Sequence, residues 1–324
     1  MLRHEHTRAL GRTRGIALSG AVLAAVLLLV SPGDVRAQAK VGTTGAQFLE
    51  IGVSARAMGM AEAFTALAND VSAVYYNPAG LVYLYGPEGQ LTYVRMPADV
   101  NYGYAAIGLP LESIGGVLGI SAYHLNSGEI DEIDYYAIPT GRTFWWKDFS
   151  LAVSYGRYLT DRFSVGFTVK YIGEFVHDYS ANGWAADVGT VYNTGFRNFK
   201  IAMAITNFGP DLNMIRDDFP LPINFRFGGT IDALQTDNYV LSVAAEGCHP
   251  SDNLEKYNSG AELTIRDMFI LRAGGRFNYD VDGLTFGGGL RLPFGEESEI
   301  RVDYAYQDFG VMDEVHRFTM SFAF

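Results

Sequence analysis

The chain has 324 residues and carries 24 lysines and arginines against 36 aspartates and glutamates, a formal net charge of −12 at pH 7. Nucleic-acid binding needs a basic surface, so this balance argues against DNA or RNA as a partner. Cys248 is the single cysteine, which excludes an intramolecular disulfide and a metal site built from several thiolates. The 20 tyrosines, 21 phenylalanines and 37 glycines suit a transmembrane β-barrel better than an α-helical enzyme.

The first residues have the pattern of an export signal. Several arginines precede an uncharged, mostly apolar run at 16–30, and 35–37 places small residues at the two positions that a signal peptidase reads. The apolar run is shorter than the roughly 20 residues of a membrane-spanning helix. We therefore predict a cleavable signal peptide over 1–37 and export to the outer membrane of a Gram-negative bacterium.

The next segment, 38–88, differs from the rest of the chain. Residues 48–68 are rich in alanine and methionine without the alternation of a strand, which predicts short helical pieces. Asn77-Pro78 and Ala79-Gly80 then mark turns. A segment of this length ahead of the first strand fits inside a barrel, and its small residues allow close packing of backbone. We predict that 38–88 forms a hatch in the lumen.

From 89 to 324 the sequence repeats segments of about ten residues in which apolar and polar side chains alternate, the pattern of transmembrane strands. The fold class that we predict is all-β, an antiparallel transmembrane barrel of about 14 strands. The predicted strands are 89–96, 100–110, 114–124, 148–158, 162–175, 183–193, 197–207, 222–232, 238–248, 256–266, 268–279, 283–293, 298–308 and 315–324.

The polar faces of these strands carry charges of both signs, which a narrow lumen can satisfy as ladders of paired groups. This interior is charged rather than greasy, which argues against passage of lipids. The charges that we expect to line the lumen are Arg226, Glu262, Arg272, Arg291, Arg301 and Asp303.

The connections between the predicted strands alternate in length. Long segments at 125–147, 208–221 and 247–256 fall on one side, and mostly tight turns fall on the other, as in outer-membrane barrels. The acidic and aromatic loop at 125–147 is expected to be a solvated loop, with a cation or partner site as the alternative. For a transporter of apolar compounds, the run Gly287–Gly289 is the best candidate for a kink that opens a lateral gap, although the smooth curvature of a small barrel would also use these glycines.

The last residues form a strand with one greasy face. Phe318, Met320, Phe322 and Phe324 alternate with small polar residues and end the chain. A terminal strand that ends on phenylalanine resembles the signal by which the barrel-assembly machinery recognises its substrates. We therefore expect that machinery and outer-membrane lipid as partners.

Catalysis is not expected. The histidines after the leader lie far apart at predicted strand ends, and no nucleophile motif or metal-ligand spacing occurs. The sequence thus predicts no catalytic, cofactor-binding or metal-binding residues and no cofactor.

Two stretches of the predicted hatch, SARAMGMAEAFTALAND at 54–70 and SAVYYNPAGL at 72–81, resemble the N-terminal signature of the PorV/PorQ family. That family belongs with the FadL-type barrels, which have fourteen strands and a lumenal hatch. Ala61 stands where the family pattern leads us to expect glycine. The resemblance implies a structural role for the hatch motif, which comprises Gly59, Asn69, Asp70, Asn77, Pro78, Ala79 and Gly80.

The resemblance implies two functions. PorV-like proteins work with the type IX secretion system, so the first hypothesis is a protein-transport component that binds secretion subunits or the C-terminal domains of cargo at the outer mouth. FadL-like relatives move hydrophobic small molecules, so the alternative is a passive channel for such compounds. The first depends on the loops, whereas the second requires an apolar pocket beside the hatch and a lateral gap.

Overall fold

The computed structural model describes residues 41–279, 283–295, 298–310 and 314–324, so the predicted signal peptide at 1–37 lies outside the described residues. Within these ranges, fourteen antiparallel strands close into one barrel. They are β1 (Glu88–Arg95), β2 (Asn101–Leu111), β3 (Gly116–Asn126), β6 (Trp146–Thr160), β7 (Phe163–Val176), β8 (Tyr179–Asn193), β9 (Lys200–Phe208), β12 (Asn224–Gln235), β13 (Tyr239–Pro250), β14 (Lys256–Ile265), β15 (Phe269–Phe277), β16 (Leu284–Phe294), β17 (Ser298–Asp308) and β18 (Glu314–Ala323).

Each barrel strand pairs with the barrel strands before and after it in the chain, and β1 pairs with β18 to close the wall, with Thr92 opposite Thr319. The predicted fold class and strand number are confirmed. Two hairpins lie outside the wall ladder, namely β4 (Ile130–Ile133) with β5 (Pro139–Phe144), and β10 (Leu212–Met214) with β11 (Asp217–Phe219).

The outer face of the barrel is a band of exposed apolar side chains. Phe167, Val188 and Leu271 are each more than half exposed, as is Phe318 on β18. A soluble protein seldom shows so much contiguous apolar surface, whereas lipid covers it at no cost. Among the residues that the structure describes, no helix is long and apolar enough to cross a bilayer.

Residues 41–87 fill the interior, and we call them the plug. They form two short helices, α1 (Ala55–Gly59) and α2 (Ala73–Tyr76), and 3-10 turns at Gln47–Glu50 and Pro78–Tyr83. From 52 to 81, every residue except Asn69 is buried. The core of the molecule is therefore the contact between this segment and the inner faces of the strands.

The two ends of the barrel differ. Short connections such as 112–115, 161–162 and 266–268 lie at the end that also holds the C-terminus, which we call the turn rim. The opposite end, which we call the loop rim, carries the longest connections, 127–145 and 209–223, with the two extra hairpins.

Candidate functional site

Three arginines and three carboxylates form a closed ring that ties the plug to the wall. From the plug, Arg56 binds Glu262 through two hydrogen bonds of 2.8 and 2.9 Å and Asp70 at 2.8 Å. On the wall, Arg272 bridges Glu262 at 2.7 Å and Asp303 at 2.6 Å. Arg301 closes the ring, at 3.1 Å from both Asp303 and Asp70.

All six side chains of this ring are at most 8% exposed. Burial by itself would raise the pKa of Asp70, but Arg301 and Arg56 beside it hold that pKa below its usual value. Each charge in the ring has two opposite neighbours, which offsets the large cost of taking ions out of water. The local cause is strand geometry, because Glu262 faces Arg272 across the β14–β15 ladder and Arg301 lies two residues from Asp303.

A second wall carboxylate binds the plug through its backbone. Glu246 on β13 accepts hydrogen bonds from the amides of Phe64 and Thr65 at 3.0 and 2.8 Å. Arg226 on β12 pairs with Glu246 at 2.6 Å and donates to the carbonyl of Glu62. The inner faces of β12–β18 therefore hold the plug by charge, and we call them the charged half of the lumen.

A row of wall glycines receives the turn of the plug at Asn77 and Pro78. Gly166 faces Gly156 on one neighbouring strand and Gly189 on the other. A Cβ at Gly166 would overlap the backbone of Pro78, and one at Gly189 would overlap the side-chain oxygen of Asn77. The turn thus needs all three positions without side chains.

Asn77 fixes this turn by hydrogen bonds. Its side-chain amide donates to the carbonyls of Thr65 at 3.0 Å and Thr190 at 3.2 Å, and its side-chain oxygen accepts from the amide of Ala79 at 3.1 Å. A Cβ at Gly80 would overlap the carbonyl oxygen of Ala68. These contacts are internal to the plug or bind it to the wall.

The lateral kink predicted at Gly287–Gly289 is wrong. Strand β16 pairs without a register shift through this run on both sides. The run serves packing instead, because a Cβ at Gly287 would lie 3.0 Å from the Cα of Gly59 and one at Gly289 would overlap Asp303. Glycine here makes room for the plug and for the ion-pair ring.

Ala61 and Glu62 both have positive φ, 54° and 62°. This left-handed conformation favours glycine, and for other residues it costs roughly 1–2 kcal/mol. The departure from the family pattern at Ala61 therefore falls where the backbone would favour glycine. The strain is retained because the charged half holds both sides of this turn.

The inner faces of β2, β3, β6 and β7 carry a buried apolar cluster toward the loop rim beside isolated charges such as Asp148, which corrects the expectation of an interior charged throughout. Tyr102, Tyr123, Leu125 and Ile172 are buried there and pack with Leu49 of the plug in one cluster. The expectation failed because the tyrosines of these faces point inward and pack against the plug, which alternation alone does not show. We call the inner faces of β2, β3, β6, β7 and β8 the apolar half, at whose border with β9 Lys170 and Asp187 form an ion pair.

The wall is interrupted between β8 and β9. Their register shifts between Ala186 and Val188, and among the described residues the ladder on this side of β8 stops at Ala186. A buried polar cluster lies at the shift, where Lys170 binds Asp187 and the side-chain oxygen of Asn207, each at 2.8 Å. Asn207 has a φ of 61°. Its conformation and its bond to Asp187 stabilise the bulge.

The β10–β11 hairpin covers the part of β8 that β9 leaves without a partner. Leu212 and Leu221 on the connection 209–223 are each 1% exposed, and a Cβ at Gly183 of β8 would overlap Leu212. The amide of Gly45 donates to the carbonyl of Pro220 at 3.0 Å. The hairpin therefore joins the wall interruption to the start of the plug.

Within the described residues, a cavity lies on either side of the plug, and the one toward the turn rim opens to solvent. The one toward the loop rim has a volume of about 60 Å³ and is lined by Glu50, Tyr75, Asn207 and Arg226, among others. Burial raises the pKa of Glu50 to about 7. The cavity toward the turn rim has a volume of about 770 Å³.

The predicted lumen charges all lie on the charged half. Five of them belong to the ion pairs described above, and Arg291 is half-buried beside the larger cavity, 3.5 Å from Glu299. Phe318, Met320 and Phe324 point outward from the terminal strand. Within the described ranges, no group of histidine, cysteine, aspartate and glutamate could hold a metal ion.

Sequence reasoning missed the glycine row and the wall interruption. The glycine row had a signal, because Gly156, Gly166 and Gly189 share the inward phase of adjacent strands. The wall interruption had no sequence signal that we recognise, because apolar and polar residues alternate in the β8 and β9 segments as in ordinary strands.

No protein-family model matches the chain, and no curated protein matches its sequence. Solved structures of similar fold include the monoaromatic hydrocarbon channel CymD, with a TM-score of 0.58 at 12% identity over 84% of this chain and 98% of that one. The toluene transporter TbuX of Ralstonia pickettii has a TM-score of 0.54 at 12% identity, covering 78% of this chain and 92% of its own. The toluene transporter TodX of Pseudomonas putida has a TM-score of 0.53 at 12% identity, covering 78% of this chain and 91% of its own.

Proposed function

We propose that this chain is an outer-membrane channel for small hydrophobic molecules, similar to FadL-type transporters, with the loop rim outside the cell and the turn rim in the periplasm. The observation that carries the proposal is the register shift at Asp187, where the β8–β9 ladder stops and the β10–β11 hairpin covers β8. The named activities of CymD, TbuX and TodX support the same class of cargo.

The proposed route runs along the apolar half. Leu49, Ile172 and Leu212 belong to one buried apolar cluster that reaches the interruption of the wall. A hydrophobic molecule that replaced Leu212 and Leu221 there would meet apolar side chains inside and lipid outside. It would avoid the ion-pair ring of the charged half and would meet one buried ion pair, Lys170 with Asp187, at the exit.

The described conformation is closed to such cargo. The loop-rim cavity of about 60 Å³ is smaller than the ~150 Å³ cavity that takes up benzene in a protein core. The ion-pair ring anchors the plug on the other side. We therefore infer that the β10–β11 hairpin moves, rather than the whole plug.

A disulfide between hairpin and wall tests this route. In a Cys248→Ala background, the pair Gly183→Cys and Leu212→Cys joins β8 to the hairpin, since these two residues are in contact. In liposomes, we expect the oxidised protein to lose most toluene flux and dithiothreitol to restore it. The control places a cysteine pair at Thr92 and Thr319, which face each other across the closed β1–β18 ladder.

Equal flux in the oxidised and reduced hairpin pair would refute the side route. No toluene flux in any form, together with a correctly folded barrel, would refute the channel itself.

Docking of secreted cargo or of type IX secretion subunits is a second candidate. It is favoured by the β4–β5 hairpin on the loop rim, where Tyr135 is 96% exposed and Tyr136 is 78% exposed beside Ile133 and Ile138. Exposed aromatic side chains of this kind are enriched where proteins bind each other.

Native mass spectrometry of the gently extracted barrel separates the two candidates. Co-purified proteins with a shared C-terminal domain, lost on Tyr135→Ser with Tyr136→Ser, support docking. A bare barrel that carries apolar small molecules supports the channel.

A further inference from the structure

A lysine on the turn-rim side of the plug is buried without a carboxylate partner. Lys200 begins β9 and is 4% exposed. Its ammonium nitrogen lies 3.8 Å from the centre of the Tyr83 ring, a cation–π contact with the plug. Within the described ranges, no carboxylate oxygen lies within 4.0 Å of this ammonium, and no hydrogen bond to it is present.

The neighbouring carboxylates have other partners. Asp232 accepts hydrogen bonds from Ser242 at 2.7 Å and from Asn198 at 3.2 Å. Glu88 lies 3.6 Å from Arg301, and Glu299 lies 3.5 Å from Arg291. The Lys200 side chain is largely removed from water, Asp232 acts on its ammonium only at a distance, and an anion bound in the adjoining cavity would offset the cost of this burial.

Lys200 points into the large cavity of about 770 Å³. That cavity also receives Arg291, the rings of Tyr83 and Tyr158, and the side chains of Asn193 and Asn198. The two rings meet edge to face, with centroids 6.1 Å apart. One side of the cavity thus combines a cation, amide groups and an aromatic surface.

We propose that this cavity is a binding site for a small organic acid with an aromatic or short apolar body. Its carboxylate pairs with the Lys200 ammonium, and the amide of Asn193 or Asn198 donates a further hydrogen bond. Its apolar body lies on Tyr83 and Tyr158. The site is independent of the proposed channel function, because it requires binding from the turn rim only.

The size of the cavity and the chemistry of its wall favour this class. The cavity far exceeds the ~150 Å³ that suffices for benzene, so a benzoate-sized acid fits with water beside it. A single ammonium matches a single carboxylate, and charge-assisted pairs of this kind are about twice as strong as neutral hydrogen bonds.

Calorimetric titration of the full-length barrel in detergent with benzoate tests the proposal. We expect saturable binding that benzyl alcohol, which has the same ring without the charge, does not reproduce. Lys200→Gln should weaken benzoate binding about tenfold or more, as expected for loss of a charged hydrogen-bond partner. Lys147→Gln is the matched control, because Lys147 also lies over an aromatic ring, that of Trp145, but is exposed on the loop rim.

A second measurement needs no variant. Photolabelling of the unmodified barrel with 4-azidobenzoate should mark the peptides that contain Tyr83 and Tyr158, and excess benzoate should prevent it. Equal benzoate affinity in Lys200→Gln, or labels confined to loop-rim peptides, would overturn the proposal. Benzoate binding that leaves toluene flux unchanged, or toluene flux in a protein that does not bind benzoate, separates this site from the channel.

Discussion

The charged and apolar halves of the lumen hold the same plug by different means. On the charged half, Arg56 is fixed by directional bonds to Glu262 and Asp70, at 2.8 Å each. On the apolar half, Phe48 and Leu49 pack against tyrosine and aliphatic side chains, and hydrogen bonds such as that from Tyr102 to the carbonyl of Ile51 at 3.1 Å add to these contacts. Ion pairs tolerate little displacement, whereas apolar contacts can be exchanged for those of an apolar ligand.

This difference places the ion-pair anchors and the covered register shift on opposite sides of the barrel. The register shift at Asp187, the hairpin that covers it and Asn207 with its positive φ all lie on the apolar half or at its border with β9. The closed ring of six charges lies across from them. Substitutions on the two halves should therefore have different consequences.

The largest effect is expected from the ion-pair ring. Glu262→Gln removes the carboxylate that both Arg56 and Arg272 bind. Each of these two buried guanidinium groups is then left with one carboxylate partner instead of two. We expect the free energy of unfolding to fall by about 3–5 kcal/mol, as for other broken buried ion pairs. Urea unfolding in lipid bilayers, followed by tryptophan fluorescence, measures the change.

The matched control is Glu132→Gln on the loop rim, where Glu132 pairs with Arg142 at 2.6 Å but both side chains are solvent-accessible. No measurable change in stability is expected there, because exposed ion pairs contribute little. Similar losses in both variants would contradict the anchoring role of the ring.

A smaller effect is expected from the glycine row. Gly166→Ala forces a methyl group into the backbone of Pro78, and overpacking of this kind typically costs about 1–3 kcal/mol. Gly288→Ala is the control, because the atom nearest to a Cβ at Gly288 would be 3.8 Å away. If the temperature of heat-induced unfolding falls equally in both variants, the turn at Pro78 does not depend on the glycine row.

The smallest effect concerns pH at the edge of the apolar half. Burial raises the pKa of Glu50 from 4.5 to about 7, so the protonated form is favoured when the plug is seated. The stabilisation is complete below about pH 4.5 and is lost as the pH rises through 7. We expect exchange of the Leu49 and Ile51 amides, corrected for intrinsic rates, to increase at least about tenfold from pH 5 to pH 8.

Glu50→Gln should abolish this pH dependence, while the amide of Met58, which lies next to the ion-pair ring, should show none in either protein. An unchanged pH response in Glu50→Gln would assign the effect to another group.

Periodicity predicted the barrel because each strand's lipid face must be apolar, whatever its neighbours are. It placed Arg272 and Asp303 inside the lumen for the same reason. Periodicity cannot tell which inward residues meet, because that depends on strand register. The ion-pair ring therefore could not be predicted, although its wall residues were predicted to line the lumen.

The apolar half was missed for a related reason. Tyr102 and Tyr123 are amphipathic, and sequence does not decide whether such a side chain faces lipid headgroups or a plug. The bulge at Asp187 depends on Lys170 and Asn207, which lie on neighbouring strands and meet only in the folded wall.

The glycine row also bears on how the barrel assembles. If β7 slipped by one residue against its neighbours, Val165 or Phe167 would take the place of Gly166, and the turn at Pro78 could not enter. The seated plug is thus compatible with a single strand register. A misaligned wall would exclude the turn at Pro78 from its seat, so the glycine row couples docking of the plug to correct strand pairing.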